Sequence, residues 1–273
     1  MSMRYAASGP PEARWGVSEA AEQRGRTITI ASYNVHSCVG LDRRRQPQRI
    51  AQVIREIDPD VLALQEVDNQ PGADVESMQL EYLAQALEMA AVPGLRMIRR
   101  SGEYGNAILT RFPILAVRRH DLSYPLCEPR GALDVRLDVH GCTVRVIAAH
   151  LGLKRPERTF QWSTVLEAIA DDPAVPTFLL GDMNEWYRGA RTLRAVHRLL
   201  GEAPAPSAFP SFLPVLALTR IWVRPADALV AIESHRSALA RAASDHLPVK
   251  AMVDVERLVR SAADGDATAA RAR

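Results

Sequence analysis

The sequence predicts an α/β protein in which two packed β-sheets carry helices on their outer faces. Three observations point there. Near the front, two apolar runs of strand length alternate with two amphipathic helical patterns. From Leu95 to His150 strand follows strand, with only turn residues between them. After that, helices and buried strands alternate again to the end of the folded unit.

The first strand is Thr27 to Tyr33, a β-branched run with the composition of a buried strand. Pro47 then opens a helix whose Ile50, Val53, Ile54 and Ile57 fall at helical spacing, and Asp58-Pro59-Asp60 stops it. VLALQEV is a second strand, apolar on both faces, and MQLEYLAQALEMA a second amphipathic helix. The segments LRMIRR, YGNAILTR, ILAVRRHDL, GALDVRLDV and CTVRVIAAH read as one meander, with turns at Phe112-Pro113, Pro129-Arg130-Gly131 and His140-Gly141. A helix from about Pro156 to Ala170, the buried strand PTFLLGDMN, a helix over Arg191 to Leu200 and the short strands TRIWV, DALVAIE and LPVKAMVDV complete the unit. Residues 1–26 read as an N-terminal arm with one helical turn at Ser18 to Arg24, residues 27–256 as the domain, and residues 257–273 as a helix fraying into a tail.

Composition narrows the function classes. In 273 residues, 47% are apolar and 24% charged, which suits a globular chain with a sizeable core. A formal charge of +2 gives no strong field for nucleic acid or an anionic membrane, and Arg43-Arg44-Arg45 and Arg118-Arg119 read as solvated surface. Three cysteines, Cys38, Cys127 and Cys142, make an odd number without CxxC spacing, so neither a disulfide framework nor a thiolate zinc site is expected. No transmembrane segment or signal-like apolar stretch is visible, and a cytoplasmic protein in a reducing compartment is expected.

Polar groups with metal or phosphate chemistry close four of the predicted strands. Asn34 and His36 end the first, where a period of two puts them on one face; singly each also reads as a turn-former or cap. Glu66 closes the hydrophobic LQEV strand, and a carboxylate there calls for a partner or a metal. Asp182 and Asn184 end TFLLGDMN two residues apart, an arrangement suited to activating a water beside a held phosphoryl oxygen. Asp245 and His246 precede the last strand and pair a carboxylate with an imidazole.

SYNVH, LQEV, GNAILTRFP, RGAL, AAHLG, LGDMN and SDHLPV, in that order, resemble the motifs of the endonuclease/exonuclease/phosphatase (DNase I-like) family, in the form of a small bacterial member. The resemblance runs from about Thr27 to Val255. It implies a four-layer sandwich of two mostly antiparallel β-sheets flanked by helices, with the active site at one end of the sheets. It further implies Glu66 as principal metal ligand assisted by Asn34, with Asp245 in the terminal metal-linked position. By the same resemblance Asp182 orients or deprotonates the attacking water, Asn184 holds phosphate, His150 contacts phosphate or protonates the leaving group, and His246 contacts phosphate. Arg130 and Asn106 are substrate contacts by similarity or, equally, a turn arginine and a strand-end asparagine; His36 is placed with the substrate-binding residues. The all-oxygen ligand set suits Mg²⁺ or Mn²⁺.

The expected activity is metal-dependent hydrolysis of a phosphoester, with phosphodiesters ahead of monoesters and nucleic acid or a phospholipid headgroup among the possible substrates; no obligate protein partner is inferred. Five percent aromatics and the small net charge weaken the DNA or RNA nuclease alternative. The Pro-rich segment Glu202 to Leu216 carries exposed-looking Phe209, Phe212 and Leu213, which read either as a dock for an apolar substrate group or as core packing. One departure stands out: ALTRIWV has Thr219 where the family carries an Asp that buttresses the final histidine. A threonine brings no negative charge, so reduced activity, or a relative that binds phosphate without turning it over, is the alternative it raises.

Overall fold

The computed structural model describes residues 27–70, 77–99 and 102–271; the predicted arm over residues 1–26, with its turn at Ser18 to Arg24, lies outside them. The chain forms β1 (Thr27–Asn34), α1 (Pro47–Ile57), β2 (Val61–Asn69), α2 (Gln79–Leu87), β3 (Ala90–Arg99), β4 (Gly102–Thr110), β5 (Ile114–Asp121), β6 (Gly131–Val139) and β7 (Cys142–His150). It continues through α3 (Arg155–Ala170), β8 (Thr177–Asp182), α4 (Arg191–Leu200), β9 (Thr219–Arg224), β10 (Leu229–Ser234), α5 (Ala238–Ala243), β11 (Val249–Asp254) and α6 (Val255–Arg271).

Two sheets result, a six-stranded one ordered β10-β11-β1-β2-β4-β3 and a five-stranded one ordered β5-β6-β7-β8-β9. Each contains one parallel pair, β1 with β2 and β7 with β8, joined through α1 and α3 respectively, and antiparallel pairs elsewhere. The strand run predicted as one meander is therefore divided: β4 belongs to the first sheet and β5 to the second. The break falls at Arg111-Phe112-Pro113, where proline has no N–H to continue a ladder.

Alternation along the second sheet shows the layers. Val146, Ala148, Phe178, Leu180, Ile221 and Val223 join the large core that includes β1 and β2. Their neighbours Ile147, Ala149, Leu179 and Trp222 join a separate core with Trp162, Val165 and Ile169 of α3 and Leu193 and Val196 of α4. One face of these strands meets the other sheet and the opposite face meets helices, which is why they carry no polar alternation. The layers are thus helices, sheet, sheet, helices, the fold class predicted.

α1 has Pro47 in its first turn, buries Ile50, Val53, Ile54 and Ile57, and ends at Asp58 in the left-handed conformation with its N–H on the Ile54 carbonyl. α5 has no counterpart in the sequence reading. It is capped by Ser237, whose side chain accepts from the Ala240 N–H, and its ALARAA core lacks large apolar residues at helical spacing. The first turns of α6 pack onto the domain through buried Val255 and Leu258. None of the three cysteines forms a disulfide. Among the described residues, no helix is long and apolar enough to cross a membrane.

Candidate active site

Parallel strands expose their carboxyl ends at one edge, and here the carboxyl ends of both parallel pairs converge. β1 ends at Asn34, β2 carries Glu66 near its end, β7 ends at His150 and β8 at Asp182. His150 and Asp182 are register partners, as are Asp182 and Thr219 across β8 and β9. All three continue the alternation that faces the other sheet. Just before Asp182, Gly181 has φ +151°, and a Cβ there would strike the Ala149 carbonyl, so a glycine lets β8 approach β7 this closely.

Glu66 reaches the site through a bulge. Leu64 pairs with Ala107 and Val67 with Gly105, leaving Gln65 and Glu66 opposite Asn106, and Glu66 has φ +61°. A bulge of this kind re-aims a side chain out of the strand's alternation. Asn34 then ties the sheets together. Its Nδ2 donates to Glu66 Oε1 at 2.8 Å and to Asp182 Oδ2 at 3.1 Å, while its Oδ1 accepts from the His36 N–H at 3.1 Å. The amide N–H₂, not the amide oxygen, thus faces the two carboxylates. Asn34 holds them in place rather than lending them a third oxygen.

Asp182 is almost wholly buried. Burial opposes its ionisation most strongly, yet the neighbouring His246 and His150 rings, the Asn34 amide and the Asn184 N–H outweigh it and hold the carboxyl below the usual range. The Nε2 atoms of His246 and His150 lie 3.6 and 3.8 Å from Asp182 Oδ2, and the Asn184 N–H donates to Oδ1 at 3.0 Å. Burial and then the Arg130 guanidinium push His150 down to about 3. Arg130 Nη1 lies 2.7 Å from His150 Nδ1. An arginine can only donate, so Nδ1 accepts and the proton of the neutral ring sits on Nε2, whose nearby acceptor is Asp182 Oδ2. The Asn184 amide is anchored by Nδ2 donating to the Leu151 carbonyl at 2.8 Å.

Nine of the ten residues singled out in the sequence are linked in one cluster, and Asn106 stands beside it, though several arrive otherwise than strand periodicity implied. β1 stops at Asn34 and His36 sits in a left-handed turn with φ +48°, so the two do not share a strand face. His36 instead lies at the rim, its Nδ1 3.7 Å from Asp245 Oδ1. Asn184, also at φ +48°, is brought beside Asp182 by a turn past the end of β8. Arg130 is engaged with His150 and, at 3.1 Å, with Glu128, and so positions the imidazole. Asn106 donates to the Gly131 carbonyl at 3.0 Å, joining β4 to β6.

Two residues escaped the sequence reading of the site, Tyr104 and Ser244, and a third, Phe209, was placed only loosely. Tyr104 is hydrogen-bonded to Glu66, and burial together with the Glu66 and Glu128 charges raises its phenol. Ser244 is buried and donates to the Asn34 carbonyl at 2.8 Å while accepting the His246 N–H at 3.2 Å. Of the residues read either as a dock or as core packing, Phe209 is half-buried with its ring centroid 4.6 Å from that of His246, while Phe212 and Leu213 are 62% and 63% exposed. Their signals were present only as neighbours of recognised motifs. Thr219, the register partner of Asp182, does not take over the role of the expected carboxylate: its hydroxyl and His246 Nδ1 are each buried without a hydrogen-bond partner.

Comparison with known proteins follows the same outline. The family model described as Endonuclease/Exonuclease/phosphatase family matches residues 31–246. Protein YbhP of Escherichia coli (strain K12) is 28% identical over 253 residues, covering 83% of this chain and 96% of its own length. Among solved structures, the endonuclease/exonuclease/phosphatase from Beutenbergia cavernae DSM 12333 superposes with a TM-score of 0.66 at 24% identity, covering 84% of this chain and 72% of that one. The mannosyl-6-phosphatase Bt3783 of Bacteroides thetaiotaomicron VPI-5482 gives 0.67 at 20% identity, covering 83% and 99%. At these identities the two structures speak for the fold.

Proposed function

We propose that this chain, which belongs to the endonuclease/exonuclease/phosphatase family, hydrolyses phosphoester bonds, phosphodiesters in the first place, with the help of Mg²⁺ or Mn²⁺. The observation that carries the reading is the buried, ionised Asp182 held between two imidazoles and two asparagines, beside a second carboxylate, Glu66, that has no cationic side chain paired to it among the described residues.

That surplus of negative charge fits a hard cation. The oxygens of Glu66 and Asp245 are suitable donors, and Cys38, whose thiol burial pushes up, offers no competing thiolate. Among the described residues no group of three or more His, Cys, Asp or Glu side chains is gathered as a closed metal cage. One or two carboxylates completed by water is the way Mg²⁺ is usually held. When bound, the cation supplies Lewis-acid polarisation of a phosphoryl oxygen.

The protein's own groups account for the remaining chemistry. Asp182, ionised and within reach of both rings, takes the proton of an attacking water. His150, neutral with its proton on Nε2 and locked by Arg130, donates to a phosphoryl or leaving oxygen. Tyr104 and Asn34 fix the two faces of Glu66.

The test is hydrolysis of bis-p-nitrophenyl phosphate with and without Mg²⁺ or Mn²⁺. Metal-dependent turnover that falls by about 10²-fold or more in Glu66→Ala is expected. Absent or metal-independent turnover by the folded protein would sink the reading. A second reading, a phosphate-binding relative without turnover, is favoured by one observation, the unpartnered Thr219 hydroxyl and His246 Nδ1. Against it stands the complete set of groups around Asp182.

A further inference from the structure

Immediately past Asn184 the surface opens into a cleft of about 750 Å³, within the range of small-ligand sites. Its walls are the first turns of α3 and α4 and the connection between β8 and α4. Arg155 and Arg158 come from α3, Arg191 and Arg194 from α4, and the Trp186 and Tyr187 side chains complete the lining. Against these four guanidinium groups stands one carboxylate, Glu185, 3.6 Å from Arg158 Nε. The whole chain has a formal charge of only +2, so positive charge is concentrated in this concavity.

Internal partners hold two of these arginines, Arg158 through the Gly152 and Leu153 carbonyls and Arg194 through the Gly189 carbonyl, and leave the other two. Arg155 and Arg191 are exposed and make no side-chain hydrogen bond or ion pair among the described residues. Arg158 is only 7% exposed, and its Nε has no hydrogen-bond partner. The Thr192 hydroxyl in the same wall is likewise buried and unpartnered. Keeping like charges together around a void is unfavourable unless an anion enters. The cleft neighbours the site: its lining begins one residue past Asn184, and Trp186 lies 6.5 Å from Phe209, which lies 4.6 Å from His246, ring to ring.

We propose that this cleft binds a second phosphate group of the substrate, with Trp186 and Tyr187 receiving a flat or apolar portion beside it. The inference rests on the phosphoesterase reading for its reaction but not for its binding. A dianion with several acceptor oxygens matches the two unengaged guanidinium forks of Arg155 and Arg191, backed by the charge of Arg158 and Arg194, better than a carboxylate with two.

Titration calorimetry without added divalent metal, so that no turnover intervenes, compares thymidine 3′,5′-bisphosphate with thymidine 5′-monophosphate. The unaltered protein is expected to bind the bisphosphate at least about tenfold more tightly, and Arg155→Ala/Arg191→Ala to lose that preference. Arg43→Ala/Arg44→Ala, which removes equal charge from an exposed surface elsewhere, is expected to keep it. Equal binding of the two ligands by the unaltered protein, or a preference that survives loss of both cleft arginines, overturns the proposal. A tetrathymidylate arm assigns the source: binding tighter than the bisphosphate and equally dependent on Arg155 and Arg191 places the second phosphate in a nucleic-acid backbone, weaker binding in a small molecule, and both support the site. Hydrolysis of bis-p-nitrophenyl phosphate without bisphosphate preference removes the cleft alone. Preference without hydrolysis removes the hydrolase reading alone.

Discussion

His246 presents Nε2 to Asp182 at 3.6 Å, while its Nδ1 is buried with nothing to bond, as is the hydroxyl of Thr219, which stands where the family resemblance puts a buttressing Asp. A carboxylate at position 219 would give Nδ1 an acceptor and favour the charged ring. Hydrogen bonds to charged groups contribute about 1.5–3 kcal/mol, so Thr219→Asp is expected to raise kcat/KM on bis-p-nitrophenyl phosphate by roughly tenfold or more. No gain would mean that position 219 does not buttress the ring, leaving it the tilted contact with Phe209. At this scale the sequence named the right residue types, because a carboxylate or imidazole at the end of an apolar strand needs a chemical reason. It did not reveal their geometry. Asn34 and His36 were paired by strand periodicity, but the chain turns left-handed at His36, and no residue between them signals it.

Between elements, register was harder to read than existence. The bulge that delivers Glu66 depends on how β2 meets β4, a relation absent from either strand alone. Likewise the meander split because pairing partners are set by the whole sheet. The same cross-strand logic explains the buried charge on β6 and β7. Asp134 receives Arg145 through both oxygens, Nε at 2.8 Å to Oδ1 and Nη2 at 2.5 Å to Oδ2, with His120 Nε2 3.2 Å away. Burial opposes ionisation of Asp134, but Arg145 and His120 outweigh it and hold the carboxyl below its usual range. Asp134→Ala leaves Arg145 buried without its partner and is expected to cost about 3–5 kcal/mol near neutral pH. Because the folded carboxyl titrates lower than the unfolded one, this stability is fully present above the unfolded value, about 3.9, and fades as pH falls through the folded value. Urea unfolding at about pH 7 and about pH 3 should therefore show the gap between parent and variant narrowing in acid. A gap that widens in acid would reverse the assignment.

The molecule as a whole is two sheets whose central strands face each other, and the site exists only where both contribute. Fold class was legible because strands apolar on both faces demand cover on both faces, and the helical periodicities between them supplied it. The link between the two carboxylates was not legible, since it is a single amide. Asn34 Nδ2 spans from Glu66 on one sheet to Asp182 on the other. Without it the two carboxylates face each other across the gap with no donor between them. Asn34→Ala is therefore expected to lower unfolding stability by about 1.5–3 kcal/mol in metal-free buffer. If the loss arises from the exposed pair of charges, neutralising one should recover part of it. The Asn34→Ala/Glu66→Gln double variant is then less destabilised than the sum of the single changes, by roughly 0.5 kcal/mol or more in a double-mutant cycle. Strict additivity would mean that Asn34 holds each sheet separately, and that the carboxylates do not sense one another until a cation brings them together.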